Sequence, residues 1–227
     1  VTHLAELVRR RAGRLLSRTD VKQLLDSVNA TDPAVVEELT GAGVGIADVQ
    51  RVLASLLDEG IPIRDLVRIL EAVGERARVT KLPDALTEAA RQALGPAITA
   101  ALATDGTLSL VTIDPRFESE MGSTFELTDQ GGVLRLDIRA HEHLMSELDR
   151  AVHVTAARGL PTVVVCAAAL RPALSRLVRQ AAPTVAVVSY GEIGDHLAVE
   201  AVHTIGAPNL SPFVNEQEQQ HVGHAAI

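Results

Sequence analysis

The sequence predicts an α and β multidomain chain, an N-terminal helical bundle followed by a small α/β domain with a mostly parallel sheet. Three observations predict it. Residues 1–105 carry apolar residues at helical spacing between short loops. Thr104-Asp105-Gly106 then marks a change of pattern. Beyond it, strand-like apolar runs alternate with amphipathic helical stretches, the order that builds parallel sheets through crossovers.

Taken in order, Thr19 is expected to cap a helix reaching about Val28. Asp32-Pro33 starts another, which Gly41 stops. Val52–Glu71 (VLASLLDEGIPIRDLVRILE) reads as two amphipathic helices with one buried face each, marked by Val49, Val52, Leu53, Leu56 and Leu57, then Ile63, Leu66, Ile69, Leu70 and Val73. Gly60 ends the first of them, and Pro62 is expected in the first turn of the second, opened by Arg64 and Asp65. A fifth helix runs from Pro83-Asp84 toward Leu102.

In the second half, Leu108–Ile113 reads as a strand closed by Asp114-Pro115, and Gly132–Ile138 alternates as a second strand. A helix from about His141 to Arg158, the strand Thr162–Cys166, a helix over Leu170–Ala182, the strand Thr184–Ser189 and a last strand Ala198–Ile205 follow. The polar tail after Pro212, with Glu216, Gln217, Glu218, Gln219 and Gln220, is expected to be disordered. Loops at Gly41–Gly45 and Gly106 are hinge candidates.

Composition narrows the function. The 227 residues are 47% hydrophobic and 22% charged, with no Trp, one Tyr and three Phe. So few aromatics leave no stacking platform for single-stranded nucleic acid, and a net charge of −8 repels a phosphate backbone. The positive charge concentrates at the start, in Arg9, Arg10, Arg11, Arg14, Arg18 and Lys22; a solvated helix face accounts for it without a partner. A single Cys166 excludes an internal disulfide, fits a reducing compartment, and lies in an apolar strand as an inert core thiol. No apolar run reaches the ~18–20 residues that span a bilayer. The chain opens on Val1, without a secretory signal, and reads as a fragment or processed domain.

No motif carries catalysis. Gly41, Gly43 and Gly45 follow a helix, not a strand, and lack the Lys-Ser/Thr of a phosphate loop, so they read as an interhelical loop. His141 and His143 lie two apart and point away from each other on a helix; they read as exposed residues near its start, with His153, His196, His221 and His224 elsewhere. Asp114, Glu118 and Glu120 can be imagined as an acid/base set and Ser175 or Ser189 as a nucleophile, but no G-x-S-x-G elbow occurs. Asp114 reads instead as a turn residue capping local backbone groups. No cofactor and no metal are expected.

The Val52–Glu71 block resembles the cytoplasmic domain of the FlhA-type export-gate proteins, the FHIPEP family of flagellar and virulence type III secretion. Further motifs follow in the family's order: Thr2-His3-Leu4, Leu15-Leu16-Ser17-Arg18, Val21–Asp26, Leu86-Thr87-Glu88, Arg91–Gly95, Ile113-Asp114-Pro115, Leu170-Arg171-Pro172 and Ser189-Tyr190-Gly191-Glu192-Ile193. Pro96 departs from the family, which usually carries a basic residue there, and so does Gly191, where Asn is common. The resemblance implies a connecting helix over 1–18, the family's helical third subdomain over 19–105, its α/β fourth subdomain over 106–212 and a tail over 213–227. The first two subdomains and the membrane-spanning half would lie upstream.

It also implies a non-enzymatic part of a homo-oligomeric ring at the cytoplasmic face of the bacterial inner membrane. That ring docks export substrates with flagellar chaperones and the export ATPase complex beside other export-gate membrane proteins, and binds no nucleic acid. Thr2 would mark the edge of the chaperone groove. Arg64 and Asp65 would make a subunit or subdomain contact, or an intramolecular salt bridge. Two other readings stand beside this one: a virulence injectisome homologue, and a nucleotide-binding α/β enzyme domain with a helical cap.

Overall fold

The structure is a computed structural model and describes residues 12–128 and 131–208. Thr2, the Arg9–Arg11 run and the tail beyond Pro208 lie outside the described residues.

The first half consists of helices: α1 (Ala12–Leu15), α2 (Arg18–Thr31), α3 (Pro33–Gly41), α4 (Ile46–Asp58), α5 (Leu66–Ala77) and α6 (Pro83–Leu102). Ser17, not Thr19, caps α2. Its Oγ accepts from Asp20 N at 3.2 Å, while Asp20 Oδ2 accepts from Ser17 N at 2.8 Å. Asp32 and Pro33 start α3 as expected. Gly43 adopts φ 69°, a left-handed conformation that suits glycine, and Asp48 Oδ2 accepts from Gly45 N at 3.0 Å to begin α4. Pro62, Arg64 and Asp65 are not helical. Ile61–Asp65 forms an extended connector, Asp65 is the N-cap of α5, and its side chain makes no capping bond.

The periodic apolar residues form one core. Val49, Val52, Leu53 and Leu56 of α4 meet Ile69, Leu70 and Val73 of α5, and Leu86, Ala90 and Leu94 of α6, with Val21, Val28, Val35 and Leu39 closing the other side. Each fully buried aliphatic side chain contributes about 1.5–3 kcal/mol.

After α6, reciprocal backbone bonds between Thr104 and Thr107, each 2.9 Å, close a tight turn in which Asp105 (φ 50°) and Gly106 (φ 78°) are left-handed. The second half then runs β1 (Thr107–Ile113), α7 (Pro115–Ser123), β2 (Phe125–Thr128), β3 (Gly131–Leu134), α8 (Ile138–Ala157), β4 (Val163–Cys166), α9 (Arg171–Ala181), β5 (Ala186–Ser189), a 3-10 turn (Tyr190–Glu192) and β6 (Ala198–Ile205). The main sheet has the order β5-β4-β1-β6 and is parallel throughout.

Two expectations fail here. Gly132–Ile138 is not a strand of that sheet: Gly131–Leu134 pairs antiparallel with β2, and Asp137 Oδ1 accepts from Ala140 N at 2.7 Å to cap α8, so Ile138 is already helical. Helix α7, absent from the sequence expectation, is capped by Asp114 and buries Phe117 and Met121 completely.

One face of the sheet packs α7, α8 and α9 through a core that includes Ile113, Leu144, Leu148, Val164, Leu174 and Val187. On the other face, Leu108, Leu110, Val163, Val165 and Val188 meet Ile98 and Leu102 of α6. Helix α6 therefore belongs to both halves.

Candidate functional site: a buried ion cluster beneath a groove

Three contacts along α6 fasten the halves together. At its start, Asp84 receives both arms of Arg176 from α9, at 3.0 and 2.9 Å, and accepts the backbone N–H of Gly132 at 2.9 Å. Toward its end, Gly95 lies so close to the 3-10 turn that an added Cβ would stand 2.8 Å from Glu192 Cα and O. One turn on, the buried hydroxyl of Thr99 donates to Glu192 O at 3.2 Å and accepts from Gly194 N at 3.3 Å.

Between these contacts lies a cluster of buried charge. Arg171 opens α9 and is 1% exposed. Its Nη1 lies 2.8 Å from Glu59 Oε2, its Nε donates to Glu88 Oε2 at 2.7 Å, and its Nη2 meets Glu88 Oε1. Arg91 on α6 lies 2.7 Å from the same Glu59 oxygen and 2.6 Å from Glu192. Glu192 in turn accepts the backbone N–H of Ser189 at 2.6 Å. Glu59 is the C-terminal cap residue of α4, so one carboxylate joins α4, α6 and α9.

The carboxyls of Glu59 and Glu88 do not titrate alike. Burial pushes Glu59 up, but Arg171 and Arg91 outweigh it and hold its carboxyl below its ordinary value. For Glu88, burial wins over the Arg171 bonds and the carboxyl is raised. Burial opposes the Arg171 charge, yet Glu59 and Glu88 raise its pKa further.

The cluster also seals the sheet. β5 is an edge strand, and the Val187 carbonyl on its free edge accepts from Arg91 Nη2 at 3.3 Å and Arg171 Nη1 at 3.5 Å. Capping an edge with charged side chains blocks pairing by another chain.

Over the cluster opens a groove of about 640 Å³, walled by the 58–65 connector, the second half of α6 and residues 183–188. Arg64 and Asp65 both stand on its rim. Asp65 pairs with Arg68 at 3.5 Å, while Arg64 makes no ion pair among the described residues.

Several of the other sequence candidates have structural roles, while Ser175 lies in the groove lining. Asp114 Oδ1 accepts from Arg116 N at 2.8 Å, the capping role expected of it. Glu118 Oε1 accepts from Ala167 N at 2.6 Å in a smaller cleft at the strand ends. The Glu118 carboxylate occupies that backbone donor and would repel an anion such as a phosphate. Ser189 is wholly buried. His143 is not exposed as expected: its Nε2 lies 2.9 Å from Gly206 O and its ring meets Phe117 edge-on at 5.6 Å. Among the described residues, no group of His, Cys, Asp and Glu is arranged to hold a metal ion. None of their helices is long and apolar enough to cross a membrane.

Sequence reasoning missed the ion cluster, although every member lies in a motif that carried the family resemblance. Glu59 is in the Val52–Glu71 block; Glu88, Arg91, Arg171 and Glu192 are in the later motifs.

A helical half is joined to a parallel α/β half by interior ion pairs, with a groove at the seam. The chain belongs to the FHIPEP family, whose model matches residues 1–198. It is 30% identical over 205 residues to the flagellar biosynthesis protein FlhA of Bacillus subtilis, covering 90% of this chain and 30% of that protein. The chain thus spans about three-tenths of the length of the curated relatives it matches. Its fold is that of the Chlamydia pneumoniae CdsV protein (TM-score 0.82, 24% identity, 90% of this chain and 59% of that one), which is also solved in complex with CdsO. It likewise matches the nonameric EPEC SctV-C (TM-score 0.79, 24% identity, 88% of this chain and 60% of that one).

Proposed function

We propose that this chain is the membrane-distal cytoplasmic part of a flagellar type III export gate, a non-enzymatic docking platform for export substrates, their chaperones and the export ATPase complex. The observation that carries the proposal is the family match across both halves, from residue 1 to 198. Its relatives by sequence are flagellar biosynthesis proteins, which favours the flagellar machine over an injectisome. On this reading residues 19–105 and 106–212 are the third and fourth cytoplasmic subdomains of a protein anchored at the inner membrane.

We further propose assembly into a homo-oligomeric ring, with Arg64 and Asp65 as partner-binding residues and Thr2 at the edge of the chaperone groove. The nonameric SctV-C supports the ring by fold. A rigid seam suits such a part, because a ring multiplies weak contacts only if each subunit presents them in fixed geometry.

Calorimetric titration of chaperone–substrate complexes and export-ATPase components tests the proposal, using this chain and a longer one that restores upstream residues. Binding by the longer chain alone supports the docking role and would put the chaperone groove upstream. Binding by neither overturns it for those partners.

A further inference from the structure

We propose that the groove at the seam takes the apolar face of an acidic amphipathic helix from a partner protein. This inference deepens the docking role and rests on it.

An extended peptide would bind by adding a strand to the free edge of β5, but three polar groups of that edge are already taken. The Val187 carbonyl is held by Arg91 and Arg171, Val185 N donates to Ala182 O at 3.0 Å, and Ser189 N donates to Glu192. With backbone pairing thus disfavoured, side chains offer an occupant the better contacts.

The α6 wall offers a surface for that. Leu94, Ala97, Ile98, Ala101 and Leu102 line the groove at i, i+3, i+4, i+7 and i+8. Ala97 and Ala101 are exposed, one turn apart and small, so a second helix can approach closely and fit its ridges beside Ile98 and Leu102. A volume of about 640 Å³ admits several side chains of a helix face.

Charge selects the partner. In a chain of net charge −8, the groove is lined by Arg64, Arg68, Arg91 and Arg179 against Asp58, Glu59 and Asp65, a local excess of one positive charge. Arg64 on one bank and Arg179 on the other are free of ion pairs among the described residues, and Arg68 is already held by Asp65. Carboxylates flanking the apolar face of an incoming helix would meet Arg64 and Arg179, whereas a basic helix would be repelled.

The test uses the full chain and a fluorescent synthetic helix of about 18 residues, ~27 Å long, with Leu and Ala on one face and Glu on its flanks. Two control peptides replace Glu by Lys, or rearrange the same composition into strict alternation. Expected are saturable binding of the acidic helix alone and amide shifts concentrated at residues 94–102 and 184–188. Ala101→Trp, which fills the groove, should abolish binding. Arg64→Glu, a surface change, should weaken it about tenfold, with the loss fading at high salt.

Failure of the acidic helix to bind, equal binding of the Lys peptide, preference for the alternating peptide, or shifts confined elsewhere would each overturn the proposal. So would self-association that Ala101→Trp abolishes, since the occupant would then be a second copy. None of these outcomes touches the chaperone titration, which judges the docking role separately.

Discussion

Arg171 and Glu59, 112 positions apart in sequence, meet at 2.8 Å in the interior, and this contact ties the first residue of α9 to the last turn of α4. Because Glu88 takes the rest of the guanidinium, one side chain from the α/β half is held by two carboxylates of the helical half. Such an arrangement is costly to assemble, since each charge leaves water, and costlier still to leave incomplete.

Arg171→Met should therefore destabilise the chain by about 3–5 kcal/mol, the usual consequence of stranding buried charge. Adding Glu59→Gln to that variant should recover part of the loss, because the amide needs no counter-charge. Urea unfolding of the two variants checks both statements. A loss below about 1 kcal/mol for Arg171→Met would match an exposed pair and sink the account.

Glu59 and Glu88 should respond to pH in opposite senses. Glu59 is depressed, so its stabilisation is present above its unfolded value near 4.5 and is lost as pH falls through the lower folded value. Glu88 is raised, so its contribution is present below about 4.5 and is lost as pH rises through the higher folded value. Glu59→Gln should thus cost most at pH 7 and progressively less in acid. Glu88→Gln should match the parent in acid and equal or exceed it at pH 7, apart from its altered Arg171 bonds. Parallel pH profiles of unfolding free energy for the two variants would refute the assignment.

Gly95 and Gly191 offer a matched pair of substitutions. A Cβ on Gly95 would press on the Glu192 backbone at 2.8 Å, whereas one on Gly191 meets nothing within 4 Å. Gly95→Ala should cost about 1–3 kcal/mol through overpacking, and Gly191→Ala should stay within about 0.5 kcal/mol of the parent. Thermal unfolding of both proteins decides it; equal shifts would show that α6 does not bear on the 3-10 turn.

Much of the architecture could be read before the coordinates. Helix α6 has the span expected from Pro83 and Leu102, and β6 matches Ala198–Ile205. Such elements carry strong local signals: a proline at the first helical turn, apolar residues at a clear period. Gly132–Ile138 misled because alternation states that a strand has two faces, not which sheet it joins, and Asp137 is a helix cap as readily as a strand residue. Asp114-Pro115 signals a helix start as readily as a turn, and α7 follows it.

The ion cluster was hidden for a different reason. Apart from Glu88 and Arg91, both on α6, its charges come singly from separate helices and turns, where each looks solvated. Only Arg91, three residues before Leu94 on the buried stripe of α6, breaks the apolar face visibly enough to have given warning.

Cys166 can report whether the two halves open together. Burial pushes its thiol up to about 12, with Arg171 opposing weakly, so almost none is thiolate at pH 8 and none is accessible in the native fold. It packs on the α8 and α9 face of the sheet, opposite the face covered by α6. If the halves were independent, Arg171→Met would loosen the seam and leave Cys166 labelling by a thiol reagent unchanged. If the ion cluster couples them, a loss of about 3–5 kcal/mol raises the open population and hence the labelling rate by roughly two to four orders of magnitude. We expect the second outcome, because α6 contributes to both cores and Arg171 is itself the first residue of the helix that covers Cys166.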